Sequence, residues 1–326
     1  MSLKNSFEGM IAVRGREYSK KTSILISFAA FFIVLAVLVF GAFPLQLKFG
    51  NAGLVLTELL MLGIAVAGCV ITGQRFSEMF PVKLPTLRQL AGTVLIWVSM
   101  YLFSMVASAV SGMLMPERFF AVSMALDGMS VPFRLVTVAI LAPVCEEAMH
   151  RGLVMHFLKP IEHKWIIMLI IGLQFGILHW EPVKFLSTAI AGEFLAYVLI
   201  KTGNILLCMF MHLLTNLPAA LANTGSADFN DAVAYADGMI SGINFDMSMK
   251  TLSIGASAGL FMLLGSVAPW LFYGGSVLLG EKGVPDVNKK KKVTASAVIC
   301  IAFAVAGVIT CAVCVTLLTS AVMAQL

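Results

Sequence analysis

The sequence predicts an all-α fold, a polytopic bundle of transmembrane helices, and three observations lead to that prediction. Of the 326 residues, 60% are hydrophobic and 12% are charged, whereas a soluble domain carries about 25% charged residues. Apolar runs of roughly 20 residues, the length of a helix that crosses a bilayer, recur along the whole chain. These runs are continuous rather than alternating, which argues against a transmembrane β-barrel.

The apolar runs predict about eight or nine spans. The first run is long enough to cross a membrane and is not followed by a small-residue cleavage site, so we interpret it as a retained helix and not as a signal peptide. No soluble domain and no internal repeat interrupts the series. The predicted segments are 22–43, 52–73, 88–114, 132–157, 164–180, 183–201, 204–222, 250–279 and 294–323.

The basic residues are distributed unevenly between alternate loops. If the N-terminus is cytoplasmic, the loops on that side carry about three times as many Lys and Arg residues as the opposite loops. We therefore expect a multi-pass protein of the cell membrane with a cytoplasmic N-terminus. The net charge of +5 and the four lysines at 289–292 are typical of a membrane anchor that attracts anionic lipid. We expect the lipid bilayer, and no nucleic acid, as a partner.

Two further features indicate structure rather than chemistry. All six cysteines fall in apolar runs, where cysteine behaves as a small buried hydrophobic residue. The segment 223–249 is the longest external loop, and we interpret it as a solvated loop, with a substrate-gating lid as the alternative. Its acidic residues are Asp228, Asp231, Asp237 and Asp246.

The fourth segment contains two adjacent carboxylates, Glu146 and Glu147. One ionised carboxylate at bilayer depth costs several kcal/mol, so a pair of them indicates a function. Arg151 follows Glu147 by four residues, and this spacing predicts an ion pair on one helix face. Glu146 has only His150 as its own neighbour at that spacing and remains available. Pro143, just upstream, loosens the helix near the pair.

The fifth and seventh segments repeat this four-residue spacing with other polar side chains. Phe175 and His179 share one face of the fifth segment, and His212 and Asn216 share one face of the seventh. A lone histidine near a helix end is typical of a membrane interface. A His–Asn pair is equally typical of hydrogen bonding between membrane helices. Taken separately, neither pair decides between structure and chemistry.

The three motifs together resemble the CAAX-protease and bacteriocin-processing family of intramembrane proteases (CPBP, also called ABI). That family carries EExxxR, then FxxxH, then HxxxN or a variant, on separate membrane helices. The motifs here are Glu146-Glu147-Ala-Met-His-Arg151, then Phe175-Gly-Ile-Leu-His179, then His212-Leu-Leu-Thr-Asn216, in that order.

The resemblance divides the chain into three parts. Residues 132–222 would be the CPBP-type catalytic core. Residues 1–131, an N-terminal cytoplasmic tail and three helices, are compatible with the family. Residues 223–326, the acidic loop and two C-terminal helices, have no counterpart in the motifs.

The resemblance implies hydrolysis of a peptide bond within the membrane, by an endopeptidase. Glu146 would be the general base that activates water, with His179 sharing that water. His212 and Asn216 would donate to the oxyanion, while Glu147, Arg151 and Phe175 would support the geometry. The substrate would be a membrane-associated peptide or protein, lipidated or not. Processing of CAAX termini or leader peptides, bacteriocin maturation and self-immunity all remain open.

A zinc-dependent protease is an alternative within the same family. Glu146, His179 and His212 would then be the ligands. The chain lacks His-Glu-x-x-His, and Asn216 together with the second carboxylate favours the metal-free scheme, so we expect no cofactor.

Four other interpretations compete with this one. The string Gly255-Ala-Ser-Ala-Gly259 matches the G-x-S-x-G pattern of serine hydrolases, but every histidine precedes it, and close helix packing explains the glycines better. Cys145 is interpreted as a packing residue and not as a nucleophile. A proton-coupled transporter is disfavoured because no second half mirrors the Glu-Glu segment. A non-catalytic membrane scaffold remains an alternative.

Overall fold

The computed structural model describes residues 15–115, 129–221, 247–280 and 289–324. Across these ranges the ordered elements are all helices, and none of the residues forms a β-strand. The helices are α1 (Lys20–Phe49), α2 (Asn51–Ile71), α3 (Phe76–Met79), α4 (Leu87–Leu114), α5 (131–154), α6 (Lys164–Leu178), α7 (Pro182–Thr202), α8 (Ile205–Leu221), α9 (Met247–Gly265), α10 (Ala268–Leu279) and α11 (Lys289–Met323).

The structure confirms an all-α membrane bundle but lowers the number of spans. Each of the nine predicted segments is helical. However, only five described helices are long and apolar enough to cross a membrane, namely α1, α2, α4, α7 and α11. The α9–α10 pair, bent by 44°, makes a sixth if it is one span. The prediction of eight or nine is therefore too high by this criterion.

The missing spans have two physical causes. Helices α6 and α8 contain 15 and 17 residues, fewer than the ~20 that cross the hydrocarbon core. Helix α5 is long enough, but it carries Arg134, Glu146, Glu147 and Arg151. The segments that contain the candidate motifs are thus the ones least like simple spans.

Local signals fix several helix ends. Ser19 caps α1, with its hydroxyl accepting from the backbone N–H of Thr22 at 3.2 Å. Thr86 and Gln89 form a reciprocal capping box at the start of α4. Helix α7 ends at Gly203, which adopts the left-handed conformation (φ 58°) that glycine reaches without steric cost.

Helix α5 lies at the centre of the bundle. It packs against α1 and α2 on one side and against α8 on another, while α6 and α7 pack against each other. Two serines of α1 bind the end of α5: Ser23 donates to the carbonyl of Phe157 and Ser27 to that of Val154, both at 2.9 Å. These bonds satisfy carbonyls that a helix end leaves free, so α1 positions the last turn of α5.

The C-terminal helices attach to the bundle through α4. Both α9 and α10 pack against α4, and α11 packs mainly against α9. The predicted acidic loop at 223–249 lies almost entirely outside the described residues, so its two interpretations stay open. The cysteines within the described ranges are free thiols. Four of them are buried as predicted, whereas Cys300 and Cys311 are only partly buried.

Candidate active site

The backbone of α5 is irregular around the two carboxylates. An α-helical stretch, Ala142–Glu147, lies between two π-helical stretches, Leu135–Leu141 and Ala148–Val154. Pro143 has no N–H, so it cannot continue the ladder of helical hydrogen bonds. The preceding residue, Ala142, donates to Thr137 five residues back. Such wide turns within α-helices frequently occur at functional sites.

Glu147 is the centre of a buried polar network. Its side chain is completely buried, and its Oε1 accepts from Arg151 Nη1 at 3.1 Å. The same oxygen lies 2.8 Å from His212 Nδ1. A carboxylate paired with arginine only accepts, so the histidine donates from Nδ1. The ion pair predicted from the spacing is confirmed, and Glu147 also orients His212 of α8.

Arg151 is held by two further contacts. Its Nη2 donates to the carbonyl of Gly192 at 2.9 Å, and its guanidinium carbon lies 4.8 Å from the centroid of the Phe175 ring. Gly192 lies where α6 and α7 approach closely: a Cβ there would be 2.9 Å from the Cα of Gly172. Glycine at both positions lets the Gly192 carbonyl reach Arg151.

Phe175 is the aromatic centre of the site. Its ring makes edge contacts with three imidazole rings, at centroid distances of 5.0 Å to His150, 4.8 Å to His179 and 5.6 Å to His212. With Arg151 over the same ring, one apolar side chain fixes four polar ones. The phenylalanine of the FxxxH motif therefore has a positioning role in this fold.

Glu146 differs from Glu147 in its surroundings. Its side chain keeps 18% exposure, and its Oε2 lies 4.0 Å from His212 Nε2. That distance is too long for a hydrogen bond. Glu146 lines a cavity of about 560 Å³, together with His150 and His179. One carboxylate of the pair is thus bound within the protein and the other faces a cavity.

His179 presents a free nitrogen to the same cavity. Its Nδ1 lies 2.9 Å from the carbonyl of Phe175. Since a carbonyl can only accept, Nδ1 carries the proton, and in the neutral ring Nε2 is left as an acceptor. The residue that follows, Trp180, has a φ of 55° and also lines the cavity. This left-handed backbone is a genuine outlier for so bulky a residue.

Asn216 is not among the residues that line the cavity, but it lies on the same helix as His212, four residues on. Its Nδ2 donates to the carbonyl of Val138 at 2.9 Å. That carbonyl lies in the first π-helical stretch, where the N–H five residues further on would normally bind it. The residue at that position is Pro143, which has no N–H. The N–H of Ala142 is also not available, because it donates to the carbonyl of Thr137. Asn216 thus satisfies a carbonyl that the proline frees. Its amide still has a second N–H.

Sequence reasoning missed one cavity residue and undervalued another. Glu58 of α2 lines the cavity, is 6% exposed, and its Oε2 has no hydrogen-bond partner among the described residues. It is the only charged residue of α2, a signal that could have found it. His150 is 1% exposed and also lines the cavity. The sequence had marked it only as the neighbour of Glu146.

The zinc alternative requires donor groups that converge on one point. Within the described part of the chain, no three His, Cys, Asp or Glu side chains are grouped so as to hold a metal ion. The proposed ligands Glu146, His179 and His212 do not form such a group, and His212 already uses Nδ1 to bind Glu147.

The serine-hydrolase string has a packing role. Ser257 is exposed, and its hydroxyl donates to the carbonyl of Ser253 at 3.0 Å. Gly259 lies against α11, where a Cβ would be 2.4 Å from the backbone nitrogen of Cys311. Cys145 is fully buried, as expected for a packing residue.

Comparison with known proteins then identifies the core. Residues 128–218 match the family described as type II CAAX prenyl endopeptidase, Rce1-like. The core of the chain, residues 128–218, is therefore of the CAAX-protease type. The match covers a little over a quarter of the chain and contains all three motifs. No curated protein and no solved structure matches this chain. The helical bundle and this match together indicate a multi-pass membrane protein with a peptidase-type core.

Proposed function

We propose that this protein is an intramembrane endopeptidase in which Glu146 activates the water that attacks the scissile peptide bond. The observation that carries the proposal is the contrast between the two carboxylates. Oε1 of Glu147 accepts from both Arg151 and His212, whereas Glu146 has no hydrogen bond within the described residues and lines a cavity together with His179. A carboxylate held largely out of water without a partner costs free energy, and a catalytic role would explain why the chain retains it.

Water activation follows from the groups around Glu146. The 4.0 Å between Glu146 Oε2 and His212 Nε2 is a distance that one water molecule commonly bridges. In the proposed reaction, Glu146 takes a proton from this water and His179 Nε2 accepts its second O–H. The water oxygen then attacks the carbonyl carbon of the peptide bond and forms a tetrahedral intermediate.

Two side chains of α8 would stabilise that intermediate. Protonated at Nε2, His212 would donate to the oxyanion, and Asn216 would donate with the N–H that Val138 leaves free. Donors fixed in a water-poor site stabilise developing charge strongly. Collapse of the intermediate breaks the C–N bond, and Glu146 returns its proton to the leaving amine. The balance requires one water and no other reactant.

The mechanism uses no metal ion, and this part of the proposal can be tested directly. We expect hydrolysis to continue in the presence of a zinc chelator. Loss of activity on chelation, with recovery on adding zinc, would replace the glutamate mechanism by the zinc-dependent one.

The substrate we propose is a membrane-associated peptide or protein. Support comes from the cavity walls, which combine the polar groups of the site with apolar side chains of α1. These apolar residues are Leu38, Val39, Ala42 and Phe43. An extended apolar wall beside the reacting groups suits a peptide with a lipid or a hydrophobic segment. Prenylated CAAX peptides are the first class to assay, and leader peptides, as in bacteriocin maturation, the second.

The decisive experiment compares two identical substitutions. The full-length protein, Glu146→Gln and Glu162→Gln are purified in detergent and assayed on both peptide classes. Glu162 is an exposed glutamate, 84% accessible, so it controls for the chemical change. We expect Glu146→Gln to lose about 10²–10⁴-fold in hydrolysis rate, the usual contribution of a general base. Equal rates for wild type and Glu146→Gln would disprove the assigned mechanism and favour a scaffold.

A further inference from the structure

A second cavity, of about 570 Å³, lies near the C-terminal end of α5. It is formed where α3, the start of α6 and the end of α7 meet. Its wall on the α5 side includes Arg151 and Met155. The catalytic proposal makes no use of this cavity.

The charge of this cavity is strongly positive. Three exposed lysines line it, Lys83, Lys159 and Lys164, and the one carboxylate among its described lining residues is Glu78. Glu78 is itself paired with Arg75, at 3.6 Å between Oε1 and Nη1. The buried charge of Arg151 is matched by Glu147, so the lysines are the cations available to a ligand.

The local backbone holds these lysines in place. Lys159 Nζ donates to the carbonyl of Glu78 at 3.1 Å and to His156 Nδ1 at 3.0 Å. Lys164 Nζ donates to the carbonyls of Lys159 and Ile161, at 3.3 and 3.2 Å. An ammonium group has three N–H donors, so each keeps one for a ligand.

Lys83 is held differently, through its main chain. Asn204 accepts from the backbone N–H of Lys83 at 3.2 Å and donates to its carbonyl at 2.7 Å. Its side chain makes no hydrogen bond with the described residues. The cavity therefore contains one unengaged ammonium and two partly engaged ones.

The surroundings indicate where an anion would come from. The residues on both sides of Lys83 are apolar and exposed, Val82 at 61% and Leu84 at 93%, and Trp165, next to Lys164, is 63% exposed. Exposed apolar and tryptophan side chains beside lysines are typical of the membrane–water interface. A soluble phosphate ion would need no apolar rim, whereas a phospholipid would contact both the lysines and the apolar side chains.

We propose that this cavity binds the phosphate group of an anionic phospholipid, with Lys83, Lys159 and Lys164 as its cationic contacts. Basic pockets between membrane helices commonly hold anionic headgroups. The apolar wall formed by Met79, Pro81, Ile167 and Ile200 would contact the acyl-chain side of the lipid. Binding at this place does not depend on the peptidase mechanism.

Lipid binding to the full-length protein tests the proposal. Detergent-purified protein is titrated with phosphatidylglycerol or phosphatidylcholine, and bound lipid is counted by native mass spectrometry. We expect tighter binding of phosphatidylglycerol. Each lysine near the surface contributes about fivefold to affinity for an anionic lipid, so Lys83→Gln with Lys164→Gln should weaken it about 25-fold. Phosphatidylcholine binding should not change.

Two matched double variants serve as controls. Lys290→Gln with Lys291→Gln removes the same charge from exposed lysines of α11 and should retain tight phosphatidylglycerol binding. Lys83→Arg with Lys164→Arg keeps both charges and should also retain it. Equal affinity of wild type for the two lipids, or equal weakening by both glutamine pairs, would overturn the proposal. Displacement of phosphatidylglycerol by excess inorganic phosphate would overturn the lipid assignment.

Discussion

The catalytic region and the C-terminal helices are held together in different ways. In the former, α5, α7 and α8 are joined by charged and polar groups: Glu147 binds Arg151 and His212, and Arg151 binds the carbonyl of Gly192. In the latter, α9 and α11 meet through glycines. A Cβ at Gly307 would lie 2.6 Å from the backbone nitrogen of Leu263, and one at Gly259 would lie 2.4 Å from that of Cys311.

This difference bears on why the chain keeps charges in the membrane. Close packing of small residues is enough to associate two membrane helices, and α9 and α11 show that this chain uses it. The polar groups of α5, α6 and α8 are therefore not required merely to assemble a bundle. Helix α11 is also peripheral, with 11% of its most apolar stretch buried, against 44% for α7. The comparison favours a catalytic core to which the helices α9 and α11 are attached, and it argues against a non-catalytic scaffold.

The largest expected effect comes from removing one partner of the buried ion pair. Arg151→Leu leaves the Glu147 carboxylate buried with His212 as its remaining partner, so it should lower the free energy of unfolding by about 3–5 kcal/mol. Arg75→Leu is the control, since the Arg75–Glu78 pair is partly exposed and should contribute less than about 1 kcal/mol. Unfolding followed by circular dichroism in detergent measures both. Similar losses would mean that the network is not what stabilises the core.

The second prediction concerns the glycine contacts between α9 and α11. Gly259→Leu places a side chain against the backbone of α11, which cannot move aside, and should cost about 1–3 kcal/mol of unfolding free energy. Hydrolysis by the intact core should continue. Ser257→Leu is the control, because Ser257 lies on the same helix and is exposed. If Gly259→Leu abolished hydrolysis while the protein remained folded, α9 and α11 would belong to the catalytic unit.

The parts that sequence predicted are those set by spacing within one helix. The i, i+4 rule predicted the Glu147–Arg151 pair, and apolar runs predicted the long helices, but not the short α3 or the break between α9 and α10. The bond from Asn216 to Val138 depends on the π-helical turns of α5, which spacing does not reveal. Glu58 reaches the cavity through packing of α2 against α5, a contact between segments distant in sequence. The span count was too high because hydropathy runs ignore the shortness of α6 and α8.

The third prediction concerns the carboxylates of the catalytic region, and it compares Glu58, which lacks a partner for Oε2, with the paired Glu147. Glu58→Leu removes a buried group whose Oε2 has no partner, so it should raise the free energy of unfolding by about 1–3 kcal/mol. It should lower the hydrolysis rate, because the cavity loses a polar group. Glu162→Leu, at an exposed position, should change stability by less than about 0.5 kcal/mol. A Glu58→Leu variant that is both less stable and fully active would show that Glu58 serves the fold.

The smallest effect concerns the backbone at Trp180, which has a left-handed conformation at the cavity. Such a conformation costs an L-residue about 1–2 kcal/mol. Glycine avoids most of that cost, but it loses the apolar contacts of the indole, which is 57% exposed, and it is more flexible in the unfolded chain. Trp180→Gly should therefore change the free energy of unfolding by less than about 1 kcal/mol. Gly203→Ala is the control for the opposite change. Gly203 has a φ of 58° and open space around it, so any decrease in the free energy of unfolding would come from the backbone conformation alone. Stabilisation accompanied by slower hydrolysis would mean that the strain at Trp180 is retained because the indole forms a wall of the cavity.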